Sequence, residues 1–252
     1  MRLLILSDIH ANIYALEAIE RWETWDVAYC CGDLVDFGPF AAETIRWVQA
    51  HRVLCVCGNH DKHVLSLTRE ACHYAYDERK LTWAHDNYLQ LDDGALDYLA
   101  HLPGTLCFES DGISYKMQHQ FDGGYGTVES MEQFDSFWIG DAASSQLRRM
   151  LFGHTHRQGV HWLQENASWL NPGSASYRRP DDHDKRAHYM MIENGIIRFG
   201  AITYDRSPLL RETKRHLQEG RMIDTNLQDA FFFFGDAATT RDPLPERKEE
   251  YE

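Results

Sequence analysis

Three short apolar segments alternate with two helical patterns near the start of the chain, and this alternation constrains the fold most. The segments Arg2–Asp8, Val27–Asp33 and Val53–Gly58 predict β-strands, because each is a short apolar run that ends at a polar cluster. Between them, Asn12–Trp22 and Ala41–Ala50 carry apolar residues at helical spacing. A β-α-β-α-β order with connections this short predicts parallel strands and right-handed crossovers.

The rest of the chain predicts a helical segment and then a strand-rich half. Residues 62–102 predict two or three helices, and another helix is expected from Asp205 to Glu219. We expect the intervening strands to be mostly antiparallel, with tight turns at Asp111-Gly112 and Asn194-Gly195. The predicted strands are Thr105–Phe108, Ile113–Gln118, Met150–Phe152, Val160–Leu163, Ser168–Leu170, Tyr189–Glu193 and Ile196–Ile202.

No interdomain linker or internal repeat divides the chain, so we expect one globular unit. A main domain is predicted over residues 1–205, with the helical insert 62–102, followed by a helical extension and tail over 206–252. Residues 236–252 are expected to be frayed or disordered. The apolar run Phe231–Phe234 either packs across the edge of the core or forms a homodimer contact.

Charge and composition exclude several classes of protein. A formal net charge of −14 repels a phosphate backbone, which argues against stable nucleic-acid binding. Small phosphorylated ligands remain compatible with it, because divalent cations dominate the field inside a pocket. No apolar run approaches the ~20 residues of a membrane helix. The run after Arg2 is shorter than the roughly 7–15 residues of a signal peptide, so we expect a cytoplasmic protein.

The six cysteines are predicted to be buried, reduced thiols. None of them forms a Cys-x-x-Cys pair, which disfavours a metal site or a redox role. Disulfides are also disfavoured, because the expected compartment is reducing.

Polar metal-ligand side chains follow the predicted strands. Asp8, Asp33 and Asn59 each fall at a strand end, and parallel strands present these ends at one edge of the sheet. His10 lies two residues after Asp8, and His154 and His156 follow a later apolar run. Mixed carboxylate, carbonyl and imidazole donors suit Mn²⁺, Fe or Zn²⁺ rather than Ca²⁺. The pattern therefore predicts a two-metal site at this edge.

The order and spacing of these clusters resemble those of the calcineurin-like metallophosphoesterases. The resemblance covers about residues 2–205. It implies a four-layer α/β/β/α sandwich of the α/β (α+β) class. The motifs that carry it are Asp8-Ile9-His10, Gly32-Asp33-Leu34-Val35 with Gly38-Pro39, Gly58-Asn59-His60-Asp61, Gly153-His154-Thr155-His156 and Asn171-Pro172-Gly173-Ser174.

The resemblance also implies a ligand set for two divalent ions bridged by Asp33. The first ion would be held by Asp8, His10, Asp33 and His156, and the second by Asp33, Asn59, His119 and His154. His119 is chosen because it follows the predicted strand that ends at Gln118. The chain departs from the family at Ala11 and Gln120, where glycine is usual.

Several other side chains are candidates for roles beside the metals. His60 follows a ligand and is predicted to act on the substrate, as a general acid or by stabilising charge. Asp61 either orients His60 or caps the following helix. Asn12 is favoured as a helix cap over a phosphate contact. Arg178 or Arg179 either binds substrate phosphate or lies on the solvated surface.

These observations predict hydrolysis of a phosphoester, as a phosphodiesterase or phosphatase, with a hydroxide bridging two metal ions. The resemblance extends the candidate substrates to nucleotides and dinucleoside polyphosphates. Two alternatives remain: a non-catalytic scaffold of the same fold, and a nuclease. The ligand types present disfavour the scaffold, and the negative charge disfavours the nuclease.

Overall fold

The computed structural model describes residues 1–121, 125–140, 145–176 and 179–247. Its strands and helices are, in chain order, β1 (Arg2–Leu6), α1 (Ile13–Trp22), β2 (Val27–Cys30), α2 (Ala41–Ala50), β3 (Leu54–Cys55), α3 (Asn59–Leu65), α4 (Arg69–Asp77), α5 (Trp83–Gln90), α6 (Asp93–Ala100), β4 (Thr105–Ser110), β5 (Ile113–Gln118), α7 (Met131–Phe137), β6 (Arg148–Leu151), β7 (Gln158–Gln164), β8 (Ala167–Pro172), β9 (Ala187–Glu193), β10 (Ile196–Ile202), α8 (Ser207–Glu219) and α9 (Asp224–Phe234).

The first sheet has the strand order β10-β9-β1-β2-β3. Strand β2 is parallel to both β1 and β3, as the alternating pattern predicts, and β9 is antiparallel to β1. The three N-terminal strands end earlier than predicted, at Leu6, Cys30 and Cys55. Asp8 and Asp33 therefore lie in the loops just beyond the strand ends.

The second sheet has the order β4-β5-β6-β8-β7, and its middle is not antiparallel as expected. Strand β6 is parallel to both β5 and β8, whereas only the outer pairs β4–β5 and β7–β8 are antiparallel. The long connection through α7 allows the parallel pairing of β5 with β6, because parallel neighbours need a crossover, and β7 lies in the chain between β6 and β8. The hairpin turns are confirmed: φ is 52° at Asp111, 75° at Gly112, 50° at Asn194 and 77° at Gly195.

The two sheets pack face to face, and helices cover their outer faces. Leu3 and Ile5 of the first sheet meet Tyr115, Met117 and Leu151 of the second in one buried cluster. Helices α1 and α2 pack with the other face of the first sheet, and α7 packs with the outer face of the second. The predicted four-layer α/β/β/α sandwich is confirmed.

Three helices, α4, α5 and α6, lie within the insert 62–102, in agreement with the two or three predicted, and the end of α3 overlaps its start. Thr68, Thr82 and Asp92 each accept a hydrogen bond from the backbone N–H three residues later, which starts α4, α5 and α6. Helices α7 and α9 were not predicted from the sequence. Both are short, and α9 joins a polar first half to an apolar end.

The C-terminal extension packs against the helical insert. Phe231–Phe234 are all buried, at 3–8% exposure, in a cluster with Trp83 and Leu209. Of the two predicted alternatives, the structure shows packing within the chain. These rings are therefore not available for a homodimer contact. The expected fraying is wrong for residues 236–247, where Ala237 and Leu244 pack on the same cluster. The remainder of the predicted tail, 248–252, lies outside the described residues.

Five of the six cysteines are buried, as predicted, and Cys107 is the exception. It lies on β4, where alternate side chains face solvent. Within the described residues, no helix has both the length and the apolar character needed to cross a bilayer.

Candidate metal centre

The loops after β1 and β2 are joined by their backbones, and this brings the first two motifs together. Asp8 N donates to Gly32 O at 3.0 Å, and Ile9 N donates to Asp33 O at 2.8 Å. Further along, His154 N donates to both oxygens of the Asp8 carboxylate, at 3.1 and 3.2 Å. Three motifs distant in sequence therefore meet at one sheet edge.

Asp8, His10 and His156 form one cluster of ligand atoms. His156 Nε2 lies 3.1 Å from Asp8 Oδ1 and 3.5 Å from His10 Nε2. All three side chains are buried or nearly so. Their spacing could hold one cation, and it matches three of the four ligands predicted for the first ion.

Asp33, His119 and His154 form the second cluster. His119 Nε2 lies 3.2 Å from Asp33 Oδ2 and 2.9 Å from Asn59 Oδ1. The rings of His119 and His154 are in edge contact, with centroids 5.2 Å apart. The four predicted ligands of the second ion are therefore brought together, including His119 despite the unusual Gln120 that follows it.

Asp33 lies between the two clusters. Its Oδ2 is 3.2 Å from His119 Nε2 in one cluster and 4.0 Å from His10 Nε2 in the other. Its Oδ1 accepts a hydrogen bond from His60 N at 2.8 Å, which fixes the carboxylate. A carboxylate held in this way is placed to bridge two cations.

The tautomer of His119 indicates that these groups fit a cation. His119 Nδ1 lies 2.8 Å from the carbonyl oxygen of Cys31, so it must donate there. In the neutral ring, Nε2 then presents a lone pair towards the oxygens of Asp33 and Asn59. Burial lowers the pKa of His119, but the carboxylates of Asp33 and Asp8 outweigh it and raise this pKa to about 9. The site thus attracts positive charge, and a divalent ion would supply it.

Five of the proposed ligands have left-handed backbone conformations. The φ angles are 52° at Asp8, 49° at His10, 58° at Asp33, 64° at His154 and 58° at His156. Such conformations cost on the order of 1–3 kcal/mol each for residues other than glycine, and they cluster at functional sites. The surrounding hydrogen bonds hold the ligands in directions that ordinary loops do not take.

Two glycines allow the ligand loops to approach one another. A Cβ at Gly58 would lie 2.0 Å from Asp33 Oδ1, and one at Gly153 would lie 1.9 Å from Ser7 Oγ. Only glycine fits at these two positions without displacing a neighbouring side chain.

His60 and Asp36 form a hydrogen-bonded pair beside the clusters. His60 Nδ1 lies 2.7 Å from Asp36 Oδ2, and His63 Nδ1 lies 3.2 Å from the same oxygen. Burial raises the pKa of Asp36, but the hydrogen bonds from these two histidines hold it well below its usual range. The sequence analysis did not predict a role for Asp36. The feature that could have indicated one is a carboxylate directly after the apolar pair Leu34-Val35.

Asp61 does not supply the carboxylate that contacts the His60 ring. Its two oxygens accept hydrogen bonds from the backbone N–H groups of Asp33, Leu34, Val35 and Gly58, at 2.8–3.2 Å. Burial, and then the nearby Asp33 carboxylate, raise the pKa of Asp61 to about 6. Of the two predicted roles for Asp61, helix capping fits this geometry. Asp61 lies in the first turn of α3 rather than at the N-cap.

Of the remaining candidates, Asn12 caps a helix, Arg179 lines the cavity above the clusters, and Arg178 is outside the described residues. Asn12 accepts a hydrogen bond from Ala15 N at 3.2 Å and so caps α1. Arg179 is buried, and its guanidinium donates to the carbonyl oxygens of Asp184 and Arg186.

A cavity of about 560 Å³ opens above the clusters. It is lined by His154 and His156, and also by residues of the C-terminal extension. Its size lies within the range of small-molecule sites. The other lining residues include Phe37, His60, Tyr125, Arg157, Asp229 and Phe233.

Two adjacent clusters of Asp, His and Asn side chains that could each hold a cation, at the edge of a two-sheet sandwich, are typical of metal-dependent hydrolases. The chain belongs to the calcineurin-like phosphoesterase superfamily, because the family's superfamily-domain model matches residues 1–194. The predicted resemblance is confirmed. The metal-ligand and catalytic roles of single residues stay predictions.

Two curated relatives match part of the chain. The chain is 37% identical over 60 residues to a symmetrical bis(5'-nucleosyl)-tetraphosphatase of Methylobacillus flagellatus, covering 23% of this chain and 22% of that protein. It is 35% identical over 98 residues to the enzyme of the same name from Chromobacterium violaceum, covering 37% and 32%. The chain thus matches less than a third of the length of these curated relatives.

Solved structures share the fold. A metallophosphoesterase from Sphaerobacter thermophilus has a TM-score of 0.66 and 21% identity, covering 91% of this chain and 98% of that one. A hypothetical protein from Pyrococcus horikoshii has a TM-score of 0.68 and 16% identity, covering 86% and 93%. At these identities, the likeness supports the fold alone.

Proposed function

We propose that this protein hydrolyses phosphoesters with two divalent transition-metal ions, Mn, Fe or Zn. The observation that carries the proposal is the position of Asp33 Oδ2, 3.2 Å from His119 Nε2 and 4.0 Å from His10 Nε2. One oxygen faces both ligand clusters, as a bridging ligand must. Asp8, His10 and His156 would complete one site, and Asn59, His119 and His154 the other.

Residues of the chain itself take the other roles in the proposed hydrolysis. When bound, the two ions supply Lewis acidity towards the phosphoryl oxygens and activate water at neutral pH. His60 lines the cavity beside both clusters and donates a proton to the leaving oxygen. Asp36 accepts the Nδ1 hydrogen bond of His60, which fixes the ring and turns Nε2 away from this carboxylate.

We further propose a substrate with nucleoside groups, such as a dinucleoside polyphosphate or another phosphodiester. The cavity of about 560 Å³ has room for more than a phosphate group, and Phe37, Tyr125 and Phe233 line it with aromatic rings. The curated relatives are symmetrical bis(5'-nucleosyl)-tetraphosphatases, which agrees with this class. Arg157 and Asp181 form an ion pair at the rim, so a wide cationic groove for a nucleic acid is not expected.

The test is a substrate panel measured with metal-loaded protein. Nitrophenyl phosphate, bis(nitrophenyl) phosphate and diadenosine tetraphosphate separate monoesterase, diesterase and dinucleoside polyphosphate activity. We expect hydrolysis of at least the last two, and its loss in Asp33→Asn together with loss of both metals. A folded protein that binds metal and hydrolyses none of the three would favour the scaffold alternative.

The compartment follows from the same proposal. We propose a cytoplasmic enzyme, since nucleotides are cytoplasmic solutes and the buried cysteines suit a reducing environment. Fractionation of cells that express the tagged protein would test this, and recovery with secreted proteins would refute it.

A further inference from the structure

A third group of potential ligand atoms lies beside the two clusters of the metal centre. Asp36, His60 and His63 each offer one atom, and the three atoms lie within 4.8 Å of one another. Asp36 Oδ2 is 2.7 Å from His60 Nδ1 and 3.2 Å from His63 Nδ1. None of these residues belongs to the Asp8 or the Asp33 cluster.

The fold holds these three side chains in place without a metal. His60 and His63 are three residues apart on α3, so their side chains lie on one helical face. Asp36 N donates to Asn87 Oδ1 at 2.8 Å, and Asp36 Oδ1 accepts from Phe37 N at 2.7 Å. These bonds leave Oδ2 directed at the two imidazoles.

The donor set has the chemistry of a zinc site. Tetrahedral zinc with bonds of about 2.0–2.2 Å places its ligand atoms roughly 3.3 Å apart. The observed separations of 2.7 and 3.2 Å from Asp36 Oδ2 need only small adjustments to reach this value. The His63 side chain is 53% exposed, so solvent can reach the site and supply a fourth ligand.

We propose that Asp36, His60 and His63 form a third, weaker Zn²⁺ site that inhibits the enzyme when zinc is in excess. Zinc there binds the Nδ1 lone pairs of the two neutral imidazoles, so each ring carries its single proton on Nε2 instead. It also removes the Asp36 hydrogen bond that orients His60. The inhibitory consequence rests on the proposed role of His60, whereas the binding site itself does not.

Zinc binding to the 252-residue chain tests the site. Wild type and His63→Gln are titrated with Zn²⁺ against a chromophoric chelator, with His73→Gln as the control on the exposed face of α4. We expect wild type and His73→Gln to bind one more molar equivalent than His63→Gln. Equal stoichiometry in wild type and His63→Gln would overturn the proposal.

Activity gives a second, separable result. Excess Zn²⁺ should inhibit wild type and His73→Gln, whereas His63→Gln keeps its basal rate and loses this inhibition. Inhibition that persists in His63→Gln contradicts the inhibitory role. A protein without hydrolytic activity that still shows the one-equivalent difference would refute the proposed function and leave the zinc site standing.

Discussion

A methyl group added at Gly153 has no room at the metal centre. A Cβ there would lie 1.9 Å from Ser7 Oγ and 2.9 Å from Asp8 Oδ2. The glycine cannot move away easily, because its N–H donates to His119 O at 2.9 Å and its carbonyl accepts from Asn171 Nδ2 at 2.7 Å. In Gly153→Ala, Ser7 and Asp8 must therefore give way.

The size of the effect follows from these contacts. Ordinary contacts to a carbon atom need about 3.5 Å, so Ser7 Oγ must retreat by roughly 1.5 Å and Asp8 Oδ2 by roughly 0.5 Å. Overpacking of this kind costs about 1–3 kcal/mol, which lowers Tm by about 2–12 °C in a chain of this size. A metal ligand tolerates only about 0.2 Å of displacement, so we expect metal affinity in the Asp8 cluster to fall roughly 10- to 100-fold.

Gly159→Ala is the matched control, because a Cβ at Gly159 meets nothing within 4 Å. Thermal unfolding of both variants without metal measures the packing cost, and competitive metal titration measures the change at the ligand. If Gly153→Ala had the same Tm and the same two metal affinities as Gly159→Ala, the close approach of these loops would be refuted.

Three further predictions separate the roles of neighbouring residues. Without excess zinc, His60→Ala should lower kcat roughly 100-fold, and Asp36→Asn roughly 10-fold or more, while the ions of the Asp8 and Asp33 clusters are retained; loss of one of those ions would make the substituted residue one of their ligands. Asp61→Asn should destabilise the metal-loaded protein by roughly 2 kcal/mol in denaturant unfolding, because two backbone N–H groups lose their acceptor; wild-type stability would contradict this. His119→Ala should empty one metal position in elemental analysis and leave the other filled, whereas two retained ions would rule out the ligand role.

Local patterns were sufficient to predict the parallel core and the placement of the proposed ligands. Asp8 and Asp33 follow apolar runs that could only be strands, and parallel strand ends share one edge. The hairpin at Asn194-Gly195 was equally clear, because few other pairs of residues adopt two positive φ angles readily. These features depend on neighbours in sequence.

The features that the sequence could not predict depend on tertiary contacts. Asp36 orients His60 only because α3 packs beside the loop after β2, and no spacing rule joins these two residues. The parallel order of β5 and β6 depends on where α7 directs the chain. Helix α9 lacks a clear apolar stripe, since its four phenylalanines are consecutive and are buried from several sides.

The cavity above the metal centre has walls from two parts of the chain. His154 and His156 come from the family domain of residues 1–194, whereas Asp229 and Phe233 come from α9, beyond that match. Substitutions in α9 can therefore reshape the cavity without altering a single proposed metal ligand. Evolution, or a protein engineer, could change which molecules this protein accepts by varying its C-terminal helix while the proposed metal ligands stay unchanged.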